Sequence, residues 1–353
     1  MSELLHNFWY TIAFGKDLKP GQMLSKRLLG EPIVIGRHKD GRVFALRNIC
    51  PHRGIPFSHG WVEDNDVRCC YHGWCFNTQN GTCSEIPSLT EYDGVDISRI
   101  QVPAYPCREV QGNIWVYVPQ SVSDLLTLDR SQLPEIPIIP ELGDRAPAVY
   151  ETTIFPCHID HAIIGLMDPA HGPYVHDAWW WRSGPKRRKP KLKEKQYEPV
   201  PLGFRLAPYV MPQSAKPYKI LGNKVAIEII FQLPGVRFEV LNGDRHQACA
   251  FTAITPLDET KCEVFQSLYW TVPGLSLIKP IVYLMVSQFL GQDRDVVIKQ
   301  QEGLADDPNL MLIGDADAQA RWYFRLKREY LQSQKENRPF QNPIEPTILR
   351  WQS

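Results

Sequence analysis

The sequence predicts a two-domain α+β protein, with a β-rich N-terminal domain followed by a domain with an antiparallel β-sheet flanked by helices. Three observations carry this. Short apolar runs separated by Asp-Gly and Asn-Gly turns fill the first part of the chain. Five strand-like runs follow one another between Gly203 and Val272, and a long helical stretch comes after them. Between these parts lies a proline-rich loop, Pro134 to Pro147, which marks a boundary in it or just before it. We set the domains at 1–125 and 126–353.

In the first domain, Pro32 to Arg37 and Val43 to Leu46 flank Lys39-Asp40-Gly41-Arg42 and predict a hairpin. Gly112 to Val118 predicts another strand. In the second, a strand near Ala148 to Phe155 precedes a helix leading to His171. The five runs are Gly203–Val210, Lys224–Gln232, Val236–Leu241, Gln247–Pro256 and Cys262–Val272. A helix from about Lys279 to Gln301 has Pro280 in its first turn, where a missing N–H costs nothing. A last helix covers Ala316 to Ser333, and Pro339 to Ser353 packs as an extended tail.

The 353 residues balance 39 Lys+Arg against 39 Asp+Glu, so charge gives no argument for a nucleic-acid partner. The start, MSELLHNFWY, lacks the basic and long apolar parts of a secretory signal. The most apolar segment, Gly274 to Gly291, is interrupted by Lys279-Pro280 and reads as a buried helix rather than a transmembrane segment. Nine cysteines in such a chain read as thiols or metal ligands, with a cytoplasmic location as the default.

Two cysteine–histidine pairs stand in the first domain. Cys50-Pro51-His52-Arg53-Gly54 is followed by Cys69-Cys70-Tyr71-His72-Gly73-Trp74, with sixteen residues between His52 and Cys69. Each arm offers a thiolate and an imidazole, with a glycine close behind that lets the backbone pass near a metal. Cys69 has the right offset from His72, whereas Cys70 would leave one residue between. Two chemistries fit: a zinc site of two Cys and two His, or a Rieske [2Fe–2S] centre with sulfur on one iron and nitrogen on the other. The paired arms favour the cluster. In the second domain, Asp168-Pro169-Ala170-His171-Gly172-Pro173-Tyr174-Val175-His176 sets two histidines after a carboxylate. On an unbroken helix the imidazoles would diverge, but Gly172-Pro173 breaks it, while Asp168 and His171 stay on one face. Two imidazoles and one carboxylate with open positions suit a non-haem Fe(II) oxygenase.

Taken together, the two motifs resemble those of the Rieske non-haem iron oxygenases, the terminal oxygenase components (alpha subunits) of aromatic-ring-hydroxylating and demethylating systems. The resemblance covers nearly the whole chain. It implies a Rieske domain with Cys50 and Cys69 on one cluster iron and His52 and His72 on the other, then a catalytic domain with mononuclear Fe(II) on His171 and His176. Asp168 would be the catalytic bridge between a cluster histidine of the neighbouring subunit and an iron-bound histidine. Respiratory Rieske proteins carry an additional cysteine on each arm, whereas Gly54-Ile55 follows the first arm here, favouring the oxygenase branch. Many members carry an asparagine three or four residues before the aspartate. Gly165 and Ile164 stand there in this chain and leave a more apolar approach.

The third iron ligand is expected on the late helix, where Gly291 to Val297 resembles the family's acidic segment. Asp293 shares a face with Phe289, Val296, Val297 and Gln300, and an acid on that face is costly unless paired or metal-bound. Asp295 falls about 200° away and is the solvated one. Gln300 is either a group behind the metal or polar filling. No G-x-G-x-x-G sits in a strand–helix context, so electrons must come from a separate NAD(P)H-dependent reductase, with or without a ferredoxin. The resemblance implies a homotrimer that acts with O₂ on a small-molecule substrate, by hydroxylation, cis-dihydroxylation or demethylation. Trp179 to Trp181 would line a substrate channel or a subunit face. The basic run Lys186 to Lys195 is a solvated loop, a docking patch for an acidic donor or a lipid contact. The rival readings are a Rieske-type electron carrier and a zinc-stabilised binding module.

Overall fold

Alternation of apolar side chains builds the first part as three small antiparallel sheets. The computed structural model describes residues 3–139, 142–176, 191–211 and 216–353. The predicted Trp179–Trp181 channel and the first half of the basic run, 186–190, lie outside them, while Leu192 to Lys195 of that run are strand rather than loop. Glu31–Arg37 pairs with Val43–Arg47 around the Asp40-Gly41 turn, as expected, and Met23–Leu28 and Ala104–Tyr105 extend this sheet to four strands. A second sheet holds Phe8–Phe14, Asn113–Val118 and Cys107–Val110. The third is four short strands, Trp61–Glu63, Asp66–Arg68, Cys75–Asn77 and Cys83–Glu85. Between them Val34, Leu46, Phe57, Val67 and Phe76 form a core that takes in Cys50 and Cys69.

This unit covers His6–Ala146. It runs past residue 125 because side chains tie the proline-rich loop to the sheets. The Gln111 amide donates to the carbonyls of Ile139 and Gly143, and its oxygen accepts from Ile139 N–H. The indole of Trp9 donates to Pro134 O.

The second unit, Met1–Leu5 with Pro147–Ser353, is organised by one eight-stranded antiparallel sheet. Its order is Val149–Phe155, Cys262–Trp270, Gln247–Pro256, Val236–Gly243, Val225–Gln232, Gly203–Val210, Leu192–Val200 and Thr347–Gln352. All five expected runs are strands. Two more strands complete one end of the sheet: Leu192–Val200, which was not expected, and the edge strand Thr347–Gln352, which lies in the tail expected to be extended but not to pair in the sheet. Their burial alternates with exposed lysines and arginines, so the apolar signal is halved.

Helix α1 (Ile159–Met167) is held at its start by a buried cluster. Asp160 accepts from Lys327 Nζ at 2.7 Å and from the Tyr323 hydroxyl at 2.5 Å, both on Ala318–Lys335. Burial pushes the Asp160 carboxyl up, but the Lys327 ammonium and these hydrogen bonds outweigh it and hold it below the usual range. The long helix Lys279–Leu304 starts with Pro280 in its first turn and lies along Val149–Phe155, where Arg294 Nε donates to Ile154 O at 3.2 Å. Its first turns are not buried as expected: Ile281 and Leu284 are 59% and 66% exposed. Among the described residues no helix is long and apolar enough to cross a membrane.

Candidate metal centres

The two arms of the first unit close in the same way. Cys50 N–H donates to Ile55 O and Gly54 N–H to Cys50 O, both at 2.9 Å. Cys69 N–H donates to Trp74 O at 2.9 Å and Gly73 N–H to Cys69 O at 3.1 Å. Gly54 and Gly73 occupy the left-handed region, φ 76° and 72°, where a side chain is strained. These loops turn both sulfurs inward. Cys50 and Cys69 are 1% and 2% exposed and their thiols touch, whereas Cys70 points to solvent. Burial, then the neighbouring Cys69 thiol, pushes Cys50 up to about 11, although backbone N–H groups of His52 and Arg53 act against this.

The imidazoles gather on the outer side. The rings of His52 and His72 lie 4.5 Å apart. Trp74 stacks on His52 at 4.6 Å and Tyr71 on His72 at 3.9 Å. Burial, then His72 and Arg53, lowers the His52 pKa, which favours the neutral ring that metal ligation requires. Arg68 braces the second arm by donating to Gly73 O while bound to Glu63 and Glu85. Paired thiols inside and paired imidazoles outside are the donor set of a Rieske cluster. A single tetrahedral zinc ion needs its donors within about 4 Å of one another. Among the described residues, only His171, His176 and Asp293 bring three such donor atoms within 4.8 Å of one another.

That second group is assembled from two distant segments. Helix α1 ends at Met167, earlier than expected. Pro169 disfavours helical backbone at the preceding residue, and Asp168 is extended, φ −59° and ψ 120°. Asp168 and His171 therefore do not share a helix face. Instead Asp168 Oδ1 accepts from Ala170 N–H at 2.7 Å, and the main-chain oxygen of Asp168 accepts from His171 Nδ1–H at 2.7 Å. The Asp168 carboxylate stays 3.8 Å from that nitrogen. Burial raises its pKa. Gly172-Pro173 does not simply break a helix; it starts a new turn, α2 (Gly172–Val175), with His171 ahead of it and His176 behind.

The result is convergence. His171 Nε2 and His176 Nε2 are 3.2 Å apart, and each is 3.5 Å from Asp293 Oδ1. The point equidistant from the three atoms lies about 2.0 Å from each, the bond length of a divalent first-row metal to imidazole or carboxylate. The donors fit an ion. Burial pushes Asp293 up to about 7, against a weak pull from Arg237, and pushes His176 down to about 4. A bound cation would offset the cost of the buried carboxylate.

The helical-face argument placed Asp293 inward and Asp295 outward, which is how they lie. Of the neighbours expected on that face, Val297 is buried and Phe289 lies against His176, whereas Val296 and Gln300 are exposed; Leu290, also buried, was not expected there. Phe289 stacks on His176 with ring centres 3.4 Å apart. Gln292 was missed. Its Oε1 lies 3.2 Å from His176 Nδ1, and the signal available was a polar residue next to the acid on a half-apolar helix.

Comparison with known proteins agrees with this geometry. Residues 8–106 match the model of the Rieske [2Fe-2S] domain. Chlorophyllide a oxygenase of Arabidopsis thaliana is 24% identical over 95% of this chain and 59% of its own length. The oxygenase subunit of the 5,5'-dehydrodivanillate O-demethylase of a Sphingobium strain is 29% identical over 56% of this chain and 46% of its own. The chain thus spans about six-tenths of the length of the first of these relatives. The structure of Pseudomonas putida NdmA, as a mutant with caffeine, superposes with a TM-score of 0.74 at 20% identity, covering 97% of this chain and 96% of that one, and shares the fold. The chain thus carries a Rieske [2Fe-2S] domain, is similar to these oxygenases over most of its length and shares the fold of NdmA.

Proposed function

We propose that the protein is the terminal oxygenase of a multicomponent Rieske system. It uses O₂ and electrons from a separate reductase to hydroxylate or oxidatively demethylate an aromatic or other apolar small molecule. The observation that carries this is the triad of His171, His176 and Asp293, closed around one point in a unit that follows a Rieske domain. An electron carrier has no use for a second metal site. When bound, the cluster supplies single electrons and the mononuclear iron activates O₂.

The residues define the rest. Cys50, His52, Cys69 and His72 would hold the cluster, and His171, His176 and Asp293 the iron. Two neutral imidazoles and one carboxylate leave a net positive centre with open positions. Phe289 covers the face of His176, and Leu290 and Val297 are the buried apolar neighbours of Asp293 on the same helix. We assign to Asp168 the coupling of the iron-bound His171 to a cluster histidine of a neighbouring subunit in a homotrimer. Its side chain is one-third exposed, 33%, which leaves it within reach of a partner. The electron donor would be an NAD(P)H-dependent reductase, with or without a ferredoxin. A cytoplasmic location suits nine cysteines that are all free thiols. The names of the relatives, an oxygenase of chlorophyllide a and an O-demethylase of 5,5'-dehydrodivanillate, point to a ring-bearing substrate. The test is metal analysis followed by turnover with a reconstituted donor. Two cluster irons and one further iron per chain are expected, with O₂-dependent product. Zinc alone, or a cluster without further iron, would exclude this function.

A further inference from the structure

We infer that Gln292 is a positioning residue of the mononuclear metal centre: its side-chain oxygen accepts a hydrogen bond from the Nδ1–H of His176, which holds the proton on Nδ1 and leaves the Nε2 lone pair facing the point shared with His171 and Asp293. This rests on the reading of the triad as a metal site. A neutral imidazole carries one proton, and the partner of one nitrogen decides which nitrogen holds it. His171 settles this through the backbone, because its Nδ1 faces the main-chain oxygen of Asp168 at 2.7 Å, and a carbonyl can only accept. That acceptor is main chain, so replacing the Asp168 side chain does not remove it. His176 is 2% exposed, and its Nδ1 faces a side chain, Gln292 Oε1, at 3.2 Å.

The helix Lys279–Leu304 holds this ring on three sides. Phe289 covers its face, Gln292 meets Nδ1, and Asp293 meets Nε2. Residues three and four apart on a helix lie side by side, so 289, 292 and 293 form one contiguous patch. With the amide turned the other way, Gln292 would donate to Nδ1. The proton would then sit on Nε2, in the metal's place. The oxygen-first orientation is the one compatible with three donors converging on one ion.

The experiment uses the purified protein with its cluster intact and Co(II) as the probe of the mononuclear site. Affinity is measured by equilibrium titration and the ligand field by the visible spectrum of bound Co(II). Gln292→Leu removes the acceptor. Gln292→Asn keeps the amide but shortens its reach, and Gln292→Glu restores an acceptor of the same length. Leu and Asn are expected to weaken Co(II) binding by about 10–100-fold with a changed Co(II) spectrum. Glu is expected to bind within a few-fold of the parent. Asp293→Ala serves as the reference for loss of the site. If the parent binds no Co(II) that Asp293→Ala abolishes, the metal-site reading fails and this inference with it. If Asp293→Ala abolishes binding while Leu and Asn match the parent in affinity and spectrum, Gln292 has no positioning role and the metal site stands. The cluster's own absorbance, unchanged across the series, reports that each variant is folded. Should Leu lose it, the Asn and Glu pair decides alone.

Discussion

The two candidate metal centres are built by opposite means. Each cluster arm closes on itself within six residues, cysteine to Ile55 or Trp74, by the same pair of main-chain hydrogen bonds. The triad of the second unit joins one short turn to a helix more than a hundred residues later, and no main-chain bond fixes Asp293 relative to the histidines. A locally closed loop carries its geometry in its own sequence. A site made by packing takes its geometry from everything that seats the helix, including the Arg294 bond to Ile154 and the contact of Phe289 with His176.

The largest effects separate the two centres. Cys69→Ser should abolish the Rieske electron paramagnetic resonance signal of the reduced protein, because one sulfur of the buried pair is lost. Cys70→Ser, at an exposed thiol, should leave it unchanged. A signal surviving Cys69→Ser would move the cluster elsewhere. Asp293→Ala should keep that signal, lose mononuclear iron and stop product formation, while Asp295→Ala, exposed on the other face, should be nearly silent. If Asp295→Ala were the inactive one, the helix would be seated in another rotation.

A next step concerns coupling rather than either centre. Asp168→Asn keeps the Ala170 cap, since an amide oxygen also accepts, but removes the charge. Both metals should remain and turnover should fall by at least about tenfold. Loss of mononuclear iron in this variant would make Asp168 part of the site's framework instead.

What could be read in the sequence follows the same division. The cysteine–histidine arms and the paired histidines were legible because spacing and turn glycines are local. The five inner strands were legible from apolar runs. The end of α1 was legible only in part: Pro169 stops the helix at Met167 and hands the His171 contact from the Asp168 side chain to its carbonyl. Asp293 was reachable because helical periodicity says which acid faces inward. Gln292 left only a weak mark, a polar residue beside that acid, because an amide one position from an acid has no periodic signature. Its role appears only when His176 is packed against it. The pairing of the outer strands escaped for a related reason. Leu192–Val200 gains its partner, Thr347–Gln352, from the far end of the chain.

The smallest expected effect tests whether the two arms are as alike as their hydrogen bonds. Gly54 and Gly73 both need positive φ, so alanine at either should cost about 1–2 kcal/mol of backbone strain. The surroundings differ. A Cβ on Gly54 meets nothing within 4 Å, whereas one on Gly73 would lie 3.0 Å from Pro87 Cγ and 3.6 Å from Arg68 Nη1. Pro87 belongs to a ring with little freedom to move away, and Arg68 is already fixed by Glu63 and Glu85. Denaturant unfolding followed by the cluster's visible absorbance should therefore find Gly73→Ala the more destabilised of the two. Gly54→Ala should keep the parent's spectrum with a lowered midpoint. Equal losses would mean that strain alone sets the cost and the arms are energetically interchangeable. A larger loss at Gly54 would mean that the first arm, whose histidine stacks on Trp74, is the one that tolerates displacement least.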